Sequence, residues 1–387
     1  EAFGMPEFDS MYLKYEKDKS VPRKTIGAQE LFMDLLKERA ETGRIYIMNL
    51  DHCNTHSSFK DKVYMSNLCQ EITLPTTPVQ HIDDKEGEIA LCILSAVNLG
   101  LLTDMNELEE LCDLSVRALD EIIDYQEYPV EAAKISAQSR RSLGIGYIGL
   151  AHYLAKNQVG YEDKKALKLV DKITEAFQFY LLKSSNNLAK EKSKCLWFEK
   201  TKYSDGILPI DTYKKELDEI VKRDYDYDWE WLRKEIKEHG LRHSTLSAQM
   251  PSESSSVVSN ATNGVEPPRD YLSIKKSKKG PLKQIVPDYN RLKNYYTLLW
   301  DMKGNEGYIN IIAVMQKYFD QAISGNWSYN PENYKDGEVP LSVMAQDLLT
   351  TYKLGWKTAY YQNTYDAKSD IDEPVHPVGW HDGVEET

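Results

Sequence analysis

The sequence predicts an α/β fold, in which short apolar strands alternate with amphipathic helices. Residues 89–100 (IALCILSAVNLG) form an apolar run of the length that fits a buried strand. Residues 106–125 and 164–192 instead carry apolar side chains at helical spacing, which is typical of amphipathic helices. A chain of 387 residues is long enough for two to three domains or for one large α/β barrel.

The remaining elements follow the same logic along the chain. Apolar residues at helical spacing predict a helix over residues 28–42, which Gly43 would end. Residues 44–50 (RIYIMNL) predict a strand, and the polar residues 51–56 predict a turn. Further helices are expected near residues 212–222, 229–239, 288–301, 307–323 and 341–354, with a terminal strand at 357–364.

The charge balance limits the partners that this chain can take. Lys and Arg number 48 against 61 Asp and Glu, so the net charge is -13 at pH 7. A negative protein is repelled by phosphate backbones and anionic lipid, so neither nucleic acid nor a membrane surface is an expected partner. The sequence also holds no apolar run that approaches the ~20 residues of a membrane-spanning helix.

The cysteines predict reduced thiols rather than a disulfide framework. Their number is odd, their spacing is irregular and no secretory signal precedes them, so a cytoplasmic protein is expected. The chain opens on Glu-Ala-Phe without Met, which suggests a piece of a longer protein. The five cysteines are Cys53, Cys69, Cys92, Cys112 and Cys195.

One stretch, residues 66–75 (SNLCQEITLP), places an amide, a thiol and a carboxyl at alternate positions. Its closing proline and β-branched residues favour extended backbone over helix. In an extended segment Asn67, Cys69 and Glu71 would share one face, which combines a hydrogen-bonding amide, a thiol and a possible base. On spacing alone, a polar loop edge with one buried cysteine is the commoner outcome, because free cysteine is among the most buried residue types.

Two further patterns allow a chemical interpretation that the sequence does not favour. His52, Cys53 and His56 could ligate a metal, but no second cluster lies nearby, so hydrogen-bonded loop side chains are the preferred interpretation. Residues 144–149 (GIGYIG) match the text of a dinucleotide fingerprint, which needs a strand immediately before it. Residues 139–142 look helical instead, so we expect glycines that permit close helix packing.

Two patterns near the end of the chain are ambiguous by themselves. The run of short hydroxyl side chains at residues 252–256 could cradle phosphate through backbone N–H groups, or could form a plain serine-rich turn. Tyr360 and Tyr361 would pack in the terminal strand, and a redox relay through them would need a radical partner.

Together and in this order, four motifs point to one family. They are SNLCQEITLP, GEIALCILSAVNLG, the segment from Trp229 through GLRHSTLSAQMPSESSSVVSNATNG to EPPR, and KTAYYQNT. Over residues 25–365 the chain resembles the C-terminal half of the catalytic large subunit of class I ribonucleotide reductase.

The resemblance implies a ten-stranded α/β barrel made of two five-stranded halves, with residues 66–75 as a central finger loop. Residues 1–200 would hold the end of the first half-barrel, the finger loop and the start of the second half-barrel. Residues 201–250 would form a small α/β subdomain. Residues 251–365 would complete the second half-barrel with a phosphate loop and the Tyr-Tyr strand, and residues 366–387 would be an acidic flexible tail.

The resemblance also implies radical chemistry on a ribonucleoside diphosphate. Cys69 would become a thiyl radical that takes the 3′ hydrogen of the ribose. Glu71 would be the base on the 3′ hydroxyl, and Asn67 would hold the substrate by a hydrogen bond. Cys92 would be one of two thiols that reduce C2′ and end as a disulfide.

Two more groups of residues take their roles from the same resemblance. Tyr360 and Tyr361 would pass the radical from a small subunit to the thiol. The substrate's diphosphate would bind at Ser252, Glu253, Ser254 and Ser255.

The chain departs from the family pattern at two places. The second reducing cysteine of the family precedes the finger loop and has no match here, since Cys53 lies too close in sequence. The end of the chain, HDGVEET, lacks the cysteine pair that the family commonly carries there.

These departures imply several partners. We expect the chain to work only with an N-terminal half of the large subunit and with a metal-containing small (beta) subunit that supplies the radical. Thioredoxin or glutaredoxin would be the reductant, and this chain would bind no metal or cofactor itself. A non-catalytic assembly fragment of the same enzyme is the alternative.

Overall fold

The chain folds into mixed helices and strands, as the alternating patterns predict. The structure is a computed structural model that describes residues 8–277 and 280–366, so the predicted tail lies outside the described residues from position 367 onward. The α-helices in the described part are α1 (Phe8–Lys17), α2 (Ala28–Thr42), α3 (Leu50–Thr55), α4 (Met105–Tyr125), α5 (Glu131–Arg140), α6 (Leu150–Lys156), α7 (Lys164–Lys192), α8 (Pro209–Thr212), α9 (Trp229–His239), α10 (Glu253–Val258), α11 (Tyr289–Leu292), α12 (Glu306–Gln316) and α13 (Leu341–Lys353). The strands are β1 (Ile47–Met48), β2 (Ile93–Asn98), β3 (Leu143–Ile148), β4 (Leu272–Ser277), β5 (Gly280–Ile285), β6 (Trp327–Tyr329), β7 (Thr358–Ala359) and β8 (Gln362–Thr364).

Local chemistry sets the ends of the long helices. The carboxylate of Asp104 accepts hydrogen bonds from the N–H groups of Asn106 and Glu107, which caps the start of α4. α2 ends at Gly43, whose left-handed φ of 69° costs glycine little. Both α2 and α7 have the bounds that the sequence predicts. Every helix in the described part of the chain is too short or too polar to cross a membrane.

The core lies around α7, which is 29 residues long and packs against α4, α9 and α12. Phe177 of this helix meets Tyr147 of β3 edge to face, with ring centroids 5.3 Å apart. Phe319, which follows α12, stacks on Phe177 at 5.9 Å. Aromatic packing therefore joins the helical layer to strand β3.

Five extended segments lie side by side and are linked by backbone hydrogen bonds. β2 pairs with β3 in parallel register, from Ile93 opposite Leu143 to Asn98 opposite Ile148. β3 bridges residues 245–249 in parallel, and these bridge residues 321–324 in the same sense. β6 continues the fourth segment and pairs in parallel with β8. The array brings together stretches that are more than 200 residues apart in the sequence.

Residues 51–55 are helical in α3 and His56 follows it, where a polar turn over residues 51–56 was expected. His52 Nδ1 lies 2.8 Å from the carbonyl oxygen of Trp356. The two ring nitrogens of His56 lie 2.8 Å from Thr212 Oγ1 and 2.7 Å from the carbonyl oxygen of Gln316. Both histidines are therefore hydrogen-bonded within the protein, and the predicted strand before them is reduced to β1.

The GIGYIG stretch lies mostly inside strand β3, so the expectation of a helix there is wrong. A Cβ atom on Gly144 would lie 2.9 Å from the sulfur of Cys92, and one on Gly146 would lie 2.7 Å from the carbonyl oxygen of Ala248. The glycines are needed because neighbouring strands approach closely. They also lie within the strand rather than after it, which excludes the arrangement of a dinucleotide fingerprint.

β2 is more exposed than its apolar sequence predicts. Leu94 within it is 41% exposed, and Leu91 just before it is 38% exposed. Parallel strands are normally covered on both faces. The described residues leave one face of this strand uncovered.

Gly144→Ala is expected to lower the free energy of unfolding by about 1–3 kcal/mol, because overpacking forces neighbours to move. The added methyl would lie 2.6 Å from Leu94 Cδ2 as well as against the Cys92 sulfur. Urea denaturation measures the change. Gly304→Ala is the matched control, since no atom lies within 4 Å of its Cβ position. Equal stability of the two variants would contradict the packing role.

Candidate active site

Cys69 lies in a closed turn formed by residues 66–72. The N–H of Ile72 donates to Asn67 Oδ1 at 3.1 Å, and Gln70 takes a left-handed φ of 70°. The extended backbone expected here is therefore wrong around the cysteine. The asparagine side chain offers the backbone a turn instead, as Asn commonly does.

The turn brings the predicted base and amide together. Glu71 is buried, and its carboxylate is hydrogen-bonded to the side chain of Asn67 and accepts from Ser324 Oγ at 3.1 Å. Burial raises the pKa of Glu71 above its ordinary value, although these hydrogen bonds lower it. A carboxylate with a raised pKa accepts a proton more readily near neutral pH.

Cys92 lies immediately before β2, close enough to Glu71 for the charge of that carboxylate to act on its thiol. The side-chain N–H of Gln321 donates to its sulfur at 3.7 Å. Burial raises the pKa of the Cys92 thiol to about 12, and the charges of Glu71 and Asp320 raise it too. The carboxylate of Glu71 also raises the pKa of Cys69, after burial, so it acts on both thiols.

One of the paired tyrosines contacts the cysteine of the turn. Tyr360 Oη donates to Cys69 Sγ at 3.5 Å, and the rings of Tyr360 and Tyr361 lie 4.0 Å apart between centroids. Burial, followed by the hydrogen bond to Cys69, raises the pKa of Tyr360 well above its ordinary value. The tyrosine therefore keeps its proton at neutral pH and presents it to sulfur.

A third tyrosine, Tyr46, was missed by the sequence analysis. Its ring lies 4.7 Å from Tyr360 and 5.4 Å from Tyr361, and its hydroxyl is hydrogen-bonded to both. The only sequence signal was its place in the strand-like stretch RIYIMNL. Its contact with the pair depends on the antiparallel pairing of β1 with β7.

A buried arginine holds the backbone of this tyrosine group. Arg39 is fully buried, lies over the ring of Trp327 at 4.6 Å, and donates to the carbonyl oxygens of Ile45 and Tyr360 and, at 3.4 Å, of Tyr361. Burial lowers its pKa to about 10, which leaves it charged at neutral pH. A buried cation with three carbonyl acceptors fixes the chain on which the phenols stand.

The serine loop, residues 252–255, lies at the start of α10. Ser252 is buried and its Oγ donates to the carbonyl oxygen of Met250 at 3.0 Å. The charge of Glu253 in this loop raises the pKa of Glu266. The carboxylate of Glu266 accepts a hydrogen bond from Asn326 Nδ2. The Oδ1 atom of Asn326 accepts from the N–H of Tyr361 at 2.9 Å. The loop is thus connected to the tyrosine pair through two side chains.

The structure therefore gathers two thiols, a buried carboxylate, an amide and a pair of contacting phenol rings from distant parts of the chain. A family model described as "Ribonucleotide reductase, barrel domain" matches residues 1–362. The chain belongs to the ribonucleotide reductase family. This confirms the family that the four motifs indicate.

Curated relatives carry the same family name. The ribonucleoside-diphosphate reductase subunit alpha of Haemophilus influenzae is 57% identical over 372 residues, which are 95% of this chain and 49% of the relative. The corresponding reductase 1 subunit alpha of Escherichia coli is 56% identical over 382 residues, 98% of this chain and 50% of the relative. The subunit alpha of Enterobacteria phage T4 is 42% identical over 375 residues. The chain spans about half the length of the curated relatives it matches.

Tyr360→Phe is expected to slow alkylation of Cys69 by iodoacetamide at a fixed pH. In the wild type, the hydrogen bond from Tyr360 lowers the pKa of the Cys69 thiol. Without this bond the pKa rises, so less of the reactive thiolate is present. A net hydrogen bond of ~1 kcal/mol corresponds to roughly a fivefold change in rate. Peptide mass spectrometry measures the rate at Cys69. Tyr125→Phe, at a side chain 90% exposed, is the control, and an equal effect of both changes would contradict the contact.

Proposed function

We propose that this chain is a catalytic component of a ribonucleoside-diphosphate reductase, which makes deoxyribonucleoside diphosphates for DNA synthesis. The observation that carries this proposal is the 3.5 Å contact of Tyr360 Oη with Cys69 Sγ. A phenol hydrogen-bonded to a thiol can exchange an electron and a proton with it along one contact. The names of the relatives support the same activity.

In the proposed reaction Cys69, as a thiyl radical, takes the 3′ hydrogen atom of the ribose. Glu71 accepts the proton of the 3′ hydroxyl while Asn67 holds the substrate. The C2′ hydroxyl leaves as water, and Cys92 with a second thiol supplies two electrons and two hydrogens as the pair becomes a disulfide. One hydrogen ends in the water and one on C2′. Cys69 then returns its hydrogen atom to C3′ while Glu71 returns its proton to the 3′ oxygen, and the thiyl radical and the ionised base are both restored.

The paired tyrosines would connect the site to the small subunit. Tyr361 and then Tyr360 would pass the radical from the small (beta) subunit, which holds the metal, to the thiol. The ring separation of 4.0 Å supports a short transfer between the two phenols. The substrate's diphosphate would bind at Ser252, Glu253, Ser254 and Ser255, where the first N–H groups of α10 have no partner within the helix.

The parallel array supports a half-barrel assignment. We infer that its five segments are the second half of a ten-stranded barrel, with residues 66–75 as the finger loop. Residues 1–200 would also hold the end of the first half-barrel. Residues 201–250 would form a small α/β subdomain that ends in the third segment of the array, and residues 251–365 would hold the phosphate loop and the Tyr-Tyr strand.

An N-terminal half of the large subunit would complete the site. Leu68, beside Cys69, is 68% exposed, and the face of β2 beside Cys92 is uncovered in the described residues. A partner half that covers these apolar side chains would also exclude water from the radical. It would bring the second reducing thiol, and thioredoxin or glutaredoxin would re-reduce the resulting disulfide in the cytoplasm.

Reconstitution tests this function. The chain mixed with an N-terminal half and the small subunit should reduce a ribonucleoside diphosphate, measured as deoxynucleotide formed. Cys69→Ser and Tyr361→Phe should each abolish turnover, because hydroxyl and phenyl groups do not form the required radicals.

The controls separate chemistry from folding. Two control variants should keep normal turnover. They are Cys53→Ser, at a buried cysteine outside the site, and Tyr125→Phe. Nucleoside diphosphate binding without turnover in the wild-type complex would instead support the alternative, a non-catalytic assembly fragment. Normal turnover by either test variant would exclude the assigned roles.

The pH dependence of turnover should report the state of Glu71. The base must be ionised, so activity is lost as pH falls through its pKa, and burial places this loss above the ordinary glutamate value of about 4.3. Ser324→Ala removes a hydrogen bond that lowers the pKa, so the acid limb should move to higher pH. A profile of kcat/KM against pH measures this, with Ser342→Ala at an exposed position of α13 as control. If the acid limb lay at the same pH in both variants, Glu71 would not be the base that sets it.

A further inference from the structure

Gln321 is wholly buried and contacts the thiol of Cys92 and the backbone that follows Glu71. Its Nε2 group donates to the carbonyl oxygen of Leu143 at 2.9 Å and to the sulfur of Cys92 at 3.7 Å. Its Oε1 atom accepts from the N–H of Thr73 at 3.3 Å. One side-chain amide thus joins β3, the thiol before β2 and the end of the finger loop.

The partners of Gln321 fix the direction of its amide. The Leu143 carbonyl can only accept a hydrogen bond and the Thr73 N–H can only donate one, so exchange of the two amide ends would break both bonds. Its backbone is held as well, because Lys357 Nζ donates to the Gln321 carbonyl oxygen at 2.8 Å and to that of Asp320 at 2.9 Å. The N–H group that faces sulfur is therefore preorganised.

We propose that Gln321 is a positioning residue that holds the thiol of Cys92 for oxidation and stabilises its sulfur as the proton leaves. The proposal rests on the proposed function, in which Cys92 is one of the two thiols that become a disulfide. An N–H donor to an anionic acceptor forms a hydrogen bond roughly twice as strong as one to a neutral acceptor.

The surroundings of Cys92 give this donor its importance. Burial disfavours the thiolate, and so do the negative charges of Glu71 and Asp320. The Gln321 amide acts in the opposite direction. The cation of Lys357 is directed at the backbone carbonyls rather than at the sulfur.

Two variants separate the two ends of the amide. Gln321→Met removes both the donor and the acceptor, whereas Gln321→Glu keeps side-chain length and an acceptor for the Thr73 N–H but lacks the donor to sulfur. Alkylation of Cys92 by iodoacetamide is followed against pH in the full chain by peptide mass spectrometry. Both variants should move the Cys92 profile to higher pH and slow the reaction about fivefold at fixed pH, while Gln321→Glu leaves the Cys69 profile in place.

Gln178→Met provides the matched control. Gln178 is equally buried, in α7, and its amide atoms have no hydrogen-bond partner among the described residues. This change should leave the Cys92 profile where it is in the wild type.

Two results would overturn the proposal. One is an unchanged Cys92 profile in Gln321→Met, and the other is an equal shift of Cys69 and Cys92, which a purely structural role predicts. Gln321→Glu adds a negative charge that by itself raises the pKa of Cys92, so the neutral variant Gln321→Met gives the decisive shift, and Gln321→Leu replaces it if Gln321→Met does not fold. The assay needs neither substrate nor partner, so a Cys92 shift with no nucleotide reduction by the reconstituted wild type would refute the proposed function and leave the Gln321–Cys92 coupling standing.

Discussion

The site depends on the hydrogen bonds that residues 320–324 make to the turn that carries Cys69. This turn has no regular secondary structure of its own, so its shape depends on the Asn67 side chain within it and on hydrogen bonds from outside. The N–H of Ala322 donates to the carbonyl oxygen of Glu71 at 3.0 Å, and Ser324 Oγ donates to the carbonyl oxygen of Cys69. Because buried backbone groups need partners, these bonds leave the turn few alternative conformations.

The same short segment is itself anchored in the strand array. The carboxylate of Asp320 accepts from the N–H groups of Leu246 and Ser247 at 2.9 Å each and from Tyr203 Oη at 2.8 Å. Lys357, whose pKa burial lowers to about 7, donates to the carbonyl oxygens on the opposite side. An interior with this many satisfied polar groups is rigid, which suits the proposed radical chemistry, where small displacements matter.

The reactive groups of the site are close together, while the apolar side chains around them are exposed. Tyr360 contacts the sulfur of Cys69, and the charge of Glu71 acts on both thiols, yet the apolar side chains beside these groups face outward from the described residues. Leu94 and Leu68 are examples, at 41% and 68% exposed. The chain is about half as long as its relatives. The proposed N-terminal half of the large subunit would cover these exposed apolar side chains.

The sequence by itself determined the helices with clear apolar spacing, such as α7 and α2, the second of which ends at Gly43, because spacing and end residues act locally. It also determined the family, through motifs in a fixed order. Tertiary structure decided the rest. The strand at Gly144 and Gly146 is set by neighbours that leave no room for a side chain, and the contacts of Tyr46 and Gln321 depend on strand pairings between residues hundreds of positions apart. No local pattern carries such contacts, because they arise only when the array has formed.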